Sequence, residues 1–136
     1  MVTLSVPSKT NELSKVLDFI AAGLEVYECP MQLFQEFFDA VEEIFLRIIA
    51  YAFPDREGIV KISMNFIETQ QAIEILFSNE GIPYNPLGGL EKSALSPYEN
   101  KQEGNYGVTL LKERTDQACY LYLNERNVTT VKKSLL

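Results

Sequence analysis

Between residues 31 and 53 the apolar side chains fall at Phe34, Phe37, Phe38, Val41, Ile44, Phe45, Ile48, Ile49 and Ala52, repeating at three- and four-residue steps. That spacing lays one wide apolar stripe along a single long helix, and a helix with such a stripe must pack on a second layer. The stretch "FPDREG" that follows, with Pro54 and Gly58, ends the helix and turns the chain. The partner layer comes next. Residues 59–68 ("IVKISMNFIE") and 71–79 ("QAIEILFSN") alternate as two strands joined at Thr69 and Gln70. Ahead of the long helix, residues 2–6 read as a short strand stopped by Pro7, and Asn11 as the cap of a helix running through Leu13, Val16, Leu17, Ile20 and Leu24. Towards the end, residues 107–115 read as a short helix and residues 117–135 as a hairpin turning at 124–126. The order predicts an α+β fold: a two-layer sandwich of helices on a mixed, mostly antiparallel sheet, one domain over residues 1–136. Phe38, Phe45, Ile48, Ile49 and Phe77 are the expected contact between helix and sheet.

Charge and residue usage narrow the chemistry. A net charge of -7 argues against a phosphate-backbone surface, which needs clustered Lys and Arg. The chain has no His, so Ser-His and Cys-His nucleophile pairs and the commonest zinc sites are excluded, and any base must be a carboxylate, Lys or Tyr. Cys29 and Cys119 each stand among apolar neighbours and read as small buried hydrophobes rather than halves of a disulfide. The run Glu25, Glu28, Glu36, Asp39 reads as a solubilising helix face, and Lys112, Arg114, Lys132 and Lys133 as solvated charges. No window is long and apolar enough to span a membrane, and the start lacks the pattern of a leader, so the expected place is the cytoplasm.

The segment from residue 78 to residue 113 is too long for an ordinary connection and carries Gly81, Gly88, Gly89 and Gly104, with Gly107 opening the next helix. Gly88-Gly89 reads as a flexible tip, and Tyr84, Tyr98 and Tyr106 as rings that cover the core or stack on a base or partner.

On three stretches in order, "EEIFLRIIAYAF", "NEGIPYNPL" and "GNYGVTLLKERTDQACY", the chain resembles the Bergerat-fold, histidine-kinase-like ATPase superfamily, and in particular its anti-sigma-factor serine kinase branch. The closing "NERNVTTVKKSL" is also similar to that branch. The resemblance implies that Glu43 is the catalytic carboxylate that polarises the attacking hydroxyl or water. Where the family has a magnesium-binding Asn, this chain has Arg47, which has no acceptor and cannot ligate a hard cation. Where the family's Asp accepts a hydrogen bond from the adenine amino group, this chain has Asn79; Gly81, Pro83, Asn85 and Pro86 match the same motif. Gly104 and Gly107 match the third motif, whose helix start would offer backbone N–H groups to phosphate. Residues 78–106 would then be a lid that orders over bound nucleotide.

What the resemblance implies is a bacterial regulatory ATP-binding protein of the anti-sigma-factor serine/threonine kinase type, with magnesium-dependent catalysis weakened or lost. The alternatives are an active serine kinase that phosphorylates an anti-anti-sigma partner, and a binding module that needs no nucleotide. The ligand set is Arg47, Asn79, Gly81, Pro83, Asn85, Gly104 and Gly107 for ATP, with no metal ligand. The implied partners are a sigma factor or an anti-anti-sigma regulator protein and a second copy of the chain, with no nucleic acid and no membrane. Read without the resemblance, Glu43 and Arg47 are also a plain i,i+4 helix pair, worth about 0.2–0.5 kcal/mol.

Overall fold

The computed structural model describes residues 1–88 and 114–136. Strand β1 (Val2–Pro7) leads through a short 3-10 turn into α1 (Leu13–Val26), and a second such turn leads into α2 (Phe34–Ala52). Then come β2 (Ile59–Ile67), β3 (Ala72–Asn79), β4 (Gln117–Leu123) and β5 (Arg126–Ser134). The five strands form one sheet in the order β1-β2-β3-β5-β4, and every neighbouring pair is antiparallel. The two-layer α+β arrangement expected from the sequence is present. The predicted helix over residues 107–115 lies outside the described residues except at its end, where Arg114 is helical.

Each strand points alternate side chains at the helices. The inward face carries Val6 on β1, then Val60, Ile62 and Met64 on β2, Ile73, Ile75 and Phe77 on β3, Val131 on β5 and Ala118 on β4, all buried. From α2, Phe37, Val41, Ile44, Phe45 and Ile48 close on that face, with Val16, Ile20 and Leu24 of α1 beside them. Phe45, Ile48 and Phe77 are buried as expected, whereas Phe38 and Ile49 are only partly covered. The stripe is wider than the contact, so its flanks stay half in water. At Gly23, α1 comes so close to β2 that a Cβ would lie 2.5 Å from the Met64 sulfur.

Local expectations fail where backbone geometry has another solution. Asn11 caps nothing: it sits inside the 3-10 turn Thr10–Glu12, which supplies the helix entry itself. The β4–β5 hairpin turns at Asn124 and Glu125 with φ of 54° and 62°, the left-handed pair that a two-residue hairpin loop requires. Cys29 is buried, and burial pushes its thiol pKa up despite the charge of Lys133. Cys119 is exposed on β4, contrary to its expected burial, because the edge strand has water on one side. Lys133 and Glu36 are not merely solvated either. They pair at 3.3 Å, with the Lys133 side chain 11% exposed, because position 133 repeats the inward phase of Val131 and meets α2. Arg114 reaches Asp39 of α2 at 3.3 Å.

Candidate functional site

The second half of α2 carries Glu43, Arg47 and Tyr51 on successive turns, beside the buried stripe. Arg47 Nε donates to Glu43 Oε2 at 2.6 Å, and both side chains are largely covered, 17% and 26% exposed. Burial draws the Arg47 pKa down, but the hydrogen bond and charge of Glu43, together with Tyr84, outweigh it, so the guanidinium ends above its ordinary value. It is a permanent cation.

Tyr84 arrives from the segment after β3. Its ring centroid lies 5.1 Å from that of Tyr51, and its hydroxyl is near enough to the Arg47 charge for each group to shift the other's pKa. Burial raises the Tyr84 pKa, and the nearby Arg47 charge offsets only part of that rise.

The segment is anchored at both ends. Ile82 N donates to the Ala52 carbonyl at 3.0 Å, which ties the chain to the end of α2. A Cβ at Gly81 would sit 2.5 Å from that same carbonyl oxygen, so the close approach requires glycine. Further on, Asn85 Oδ1 accepts from Leu87 N at 2.9 Å, a local turn that seats the fully buried Leu87 in the core.

Between the anchors lies a polar hub at the end of the inward sheet face, where Asn79 on β3 and Asn127 on β5 are register partners. Both are 1% exposed. Asn79 Oδ1 accepts from Gly81 N and from Asn127 Nδ2, each at 2.9 Å. Asn127 Nδ2 also donates to the Ile82 carbonyl at 2.9 Å and, more weakly, to that of Gly81 at 3.4 Å. Asn127 Oδ1 accepts from Tyr84 N at 3.0 Å and from the Tyr120 hydroxyl at 2.5 Å. Hydrogen bonds thus run from Tyr84 N through Asn127 to Asn79, and the Glu43–Arg47 pair lies beside Tyr84.

Of the residues expected from sequence, the structure joins Glu43 to Arg47 and Asn79 to Gly81, with Tyr84 beside the first pair and Asn127 bonded to the second. Pro83 is exposed on the segment, and Asn85 makes the turn just described. Gly104, Gly107 and the greater part of the predicted lid lie outside the described residues. Sequence reasoning missed Asn127 and Tyr120. The signal available was the alternation in "NVTTV", which puts Asn127 in phase with Thr129 and Val131 on the inward face.

The Asn79 and Gly81 groups that the resemblance assigns to the base are bonded within the protein, Asn79 Oδ1 to Gly81 N and Asn127 Nδ2 and the Gly81 carbonyl to Asn127 Nδ2. Magnesium does not fit at Arg47, since the place holds a guanidinium, which has no acceptor, bonded to Glu43. Among the described residues no group of three His, Cys, Asp or Glu could hold a metal ion, and no helix is long and apolar enough to cross a membrane.

A family model described as a histidine kinase-like ATPase domain matches residues 6–133. No curated protein matches the chain significantly.

Proposed function

The chain belongs to the histidine kinase-like ATPase domain family, and on that premise we propose that it is a nucleotide-binding regulator of the anti-sigma-factor serine/threonine kinase type whose magnesium-dependent catalysis is weakened or lost. ATP is the ligand the family implies. The observation that carries the reading is the 2.6 Å bond from Arg47 Nε to Glu43 Oε2. A base must have a free lone pair within reach of the proton it takes. The bond takes one of the two Glu43 oxygens and orients the carboxylate toward Arg47. Arg47 in turn neutralises phosphate charge but cannot gather phosphate oxygens and waters into the octahedron that magnesium demands. Binding survives such a change better than phosphoryl transfer, which depends on the metal to orient and bridge the phosphates.

In this reading the domain holds a sigma factor or an anti-anti-sigma regulator protein and pairs with a second copy of itself; light scattering of the pure protein and capture of a purified sigma factor test those two claims. The central test is isothermal titration with ADP and ATP, with and without magnesium, on the unmodified protein and on Arg47→Asn. Unmodified protein binds nucleotide with an affinity that magnesium barely changes, and Arg47→Asn gains a magnesium dependence. Strict magnesium dependence in the unmodified protein would overturn the role given to Arg47. No binding by either form would leave a module that acts through protein contacts alone.

A further inference from the structure

The face of the sheet turned away from the helices carries a charge pattern that runs against the rest of the chain. At one end of it lies a cavity of about 340 Å³ whose lining includes Ser5, Phe53, Arg56, Lys61, Glu80 and Arg126. The lining holds three cations and one acid, in a chain with 12 Lys and Arg against 19 Asp and Glu. Asp55 and Glu57 of the neighbouring turn are not part of that lining, and Glu57 is held by Lys9 at 3.3 Å.

Two of the cations are fixed in place. Arg126 Nε donates to Ser78 Oγ at 2.9 Å, and its Nη1 donates to Glu80 Oε1 at 2.7 Å. Arg56 Nη2 donates to the Glu80 carbonyl at 3.0 Å, and its guanidinium carbon stands 5.3 Å from the centroid of the Phe53 ring. A guanidinium has five N–H donors, so each keeps donors that these bonds do not use. Lys61, out of phase with the buried Val60 and Ile62, points to the same face, and its ammonium has no hydrogen-bond or ion-pair partner among the described residues. Cations already held in position bind an anion without first having to be ordered. Glu80 is the anion at hand. Its side chain is 71% exposed, and a surface ion pair of that kind contributes little, so another carboxylate can take its place.

The sheet extends the site beyond the cavity. Lys61, Ser78, Val128 and Leu121 are register partners across β2, β3, β5 and β4, and so form one row on this face. From Lys61 to Leu121 the row covers three strand spacings, roughly 14 Å, the reach of about four extended residues. Leu121 is 55% exposed, and Leu123, the register partner of Arg126, is 59% exposed. We propose that this face binds an acidic segment of a partner protein, with carboxylates on Lys61, Arg56 and Arg126 and apolar side chains on Leu121 and Leu123. A small inorganic anion would leave the leucines uncovered, and a nucleic acid would meet a net charge of -7. Complementary charge on an otherwise acidic molecule fixes where such a segment docks. The surface lies across the sheet from Glu43 and Arg47, so the proposal stands whether or not the chain binds nucleotide.

The test is fluorescence anisotropy of the full chain with a labelled eight-residue peptide of alternating Asp and Leu, against the same peptide with Asn for Asp. The Asp peptide should bind roughly tenfold or more tightly, an advantage that added salt reduces. Lys61→Gln and Leu121→Ser should each weaken the Asp peptide, and Glu80→Gln, which removes the competing carboxylate, should strengthen it. Equal binding of the two peptides overturns the proposal. If neither Lys61→Gln nor Leu121→Ser changes binding, the peptide sits elsewhere and the proposal falls. Displacement of the peptide by inorganic phosphate at constant ionic strength would make this a small-anion site, and a dimer that Lys61→Gln splits would give the face to a second copy; either result overturns the proposal. Should a variant fail to fold, by circular dichroism, the ratio of the two peptides on the unmodified protein decides.

Discussion

The contact of α2 with the sheet and the polar hub at Asn127 lie in one layer of the molecule, yet they hold it together by different physics. Phe45 is fully buried in the apolar cluster, where the attraction depends on area and fit, with no direction to satisfy. Around Asn127 almost nothing is apolar in function: one side chain donates to Asn79 Oδ1 and the Ile82 carbonyl and accepts from Tyr84 N and Tyr120. The first region tolerates any change that keeps volume. The second tolerates almost none, since each bond has one geometry and each lost partner strands a buried group. An apolar core supplies most of the stability, and the hub decides where the segment after β3 is held.

The largest effect should come from the apolar side. Phe45→Ala removes a fully buried ring and should cost about 3–5 kcal/mol in chemical denaturation. A loss below about 1 kcal/mol would move Phe45 out of the core and break the comparison. Asn127→Ala strands the Ile82 carbonyl and Tyr84 N, and should cost roughly 1–3 kcal/mol. Its distinguishing readout is local: amide exchange at Ile82 and Tyr84 should rise well beyond that of the Phe45 neighbourhood. Uniform exchange across both regions would mean that the hub is simply more core.

The smallest effect concerns Tyr84 and pH. Burial holds its folded-state pKa above the ordinary tyrosine value, and half-exposure limits the size of the effect. A raised pKa gives a contribution that is fully present below the unfolded value of about 10 and is lost as pH climbs through the folded one. Stability should therefore decline above about pH 10, and Tyr84→Phe should flatten that decline. An identical alkaline slope in both proteins would show that Tyr84 is not the group responsible.

The elements were legible because hydrophobic period is a local property. Val41, Ile44, Phe45 and Ile48 repeat at helical spacing, and Ile73, Ile75 and Phe77 at every second residue, whatever lies opposite them. Of the candidate site, the Glu43–Arg47 pair was equally legible, being one helical turn apart. Lys133 and Cys119 were misread because their exposure depends on which face and which edge of the sheet they meet, and a linear pattern carries neither.

From sequence alone came the two-layer α+β order, the stripe of α2, the exclusion of histidine chemistry and the candidacy of Glu43, Arg47, Asn79 and Gly81. Tertiary structure alone set Asn127 against Asn79, turned Tyr84 onto Arg47, and made Gly81 a matter of clearance from the Ala52 carbonyl. The physical reason is range. Hydrophobic periodicity is written within one element, whereas a hydrogen bond between residues 48 positions apart exists only after β5 has been placed beside β3. Which end of the Asn79 amide is turned to Gly81 and Asn127 depends on that placement, because the amide could offer either end until those two groups claimed its oxygen.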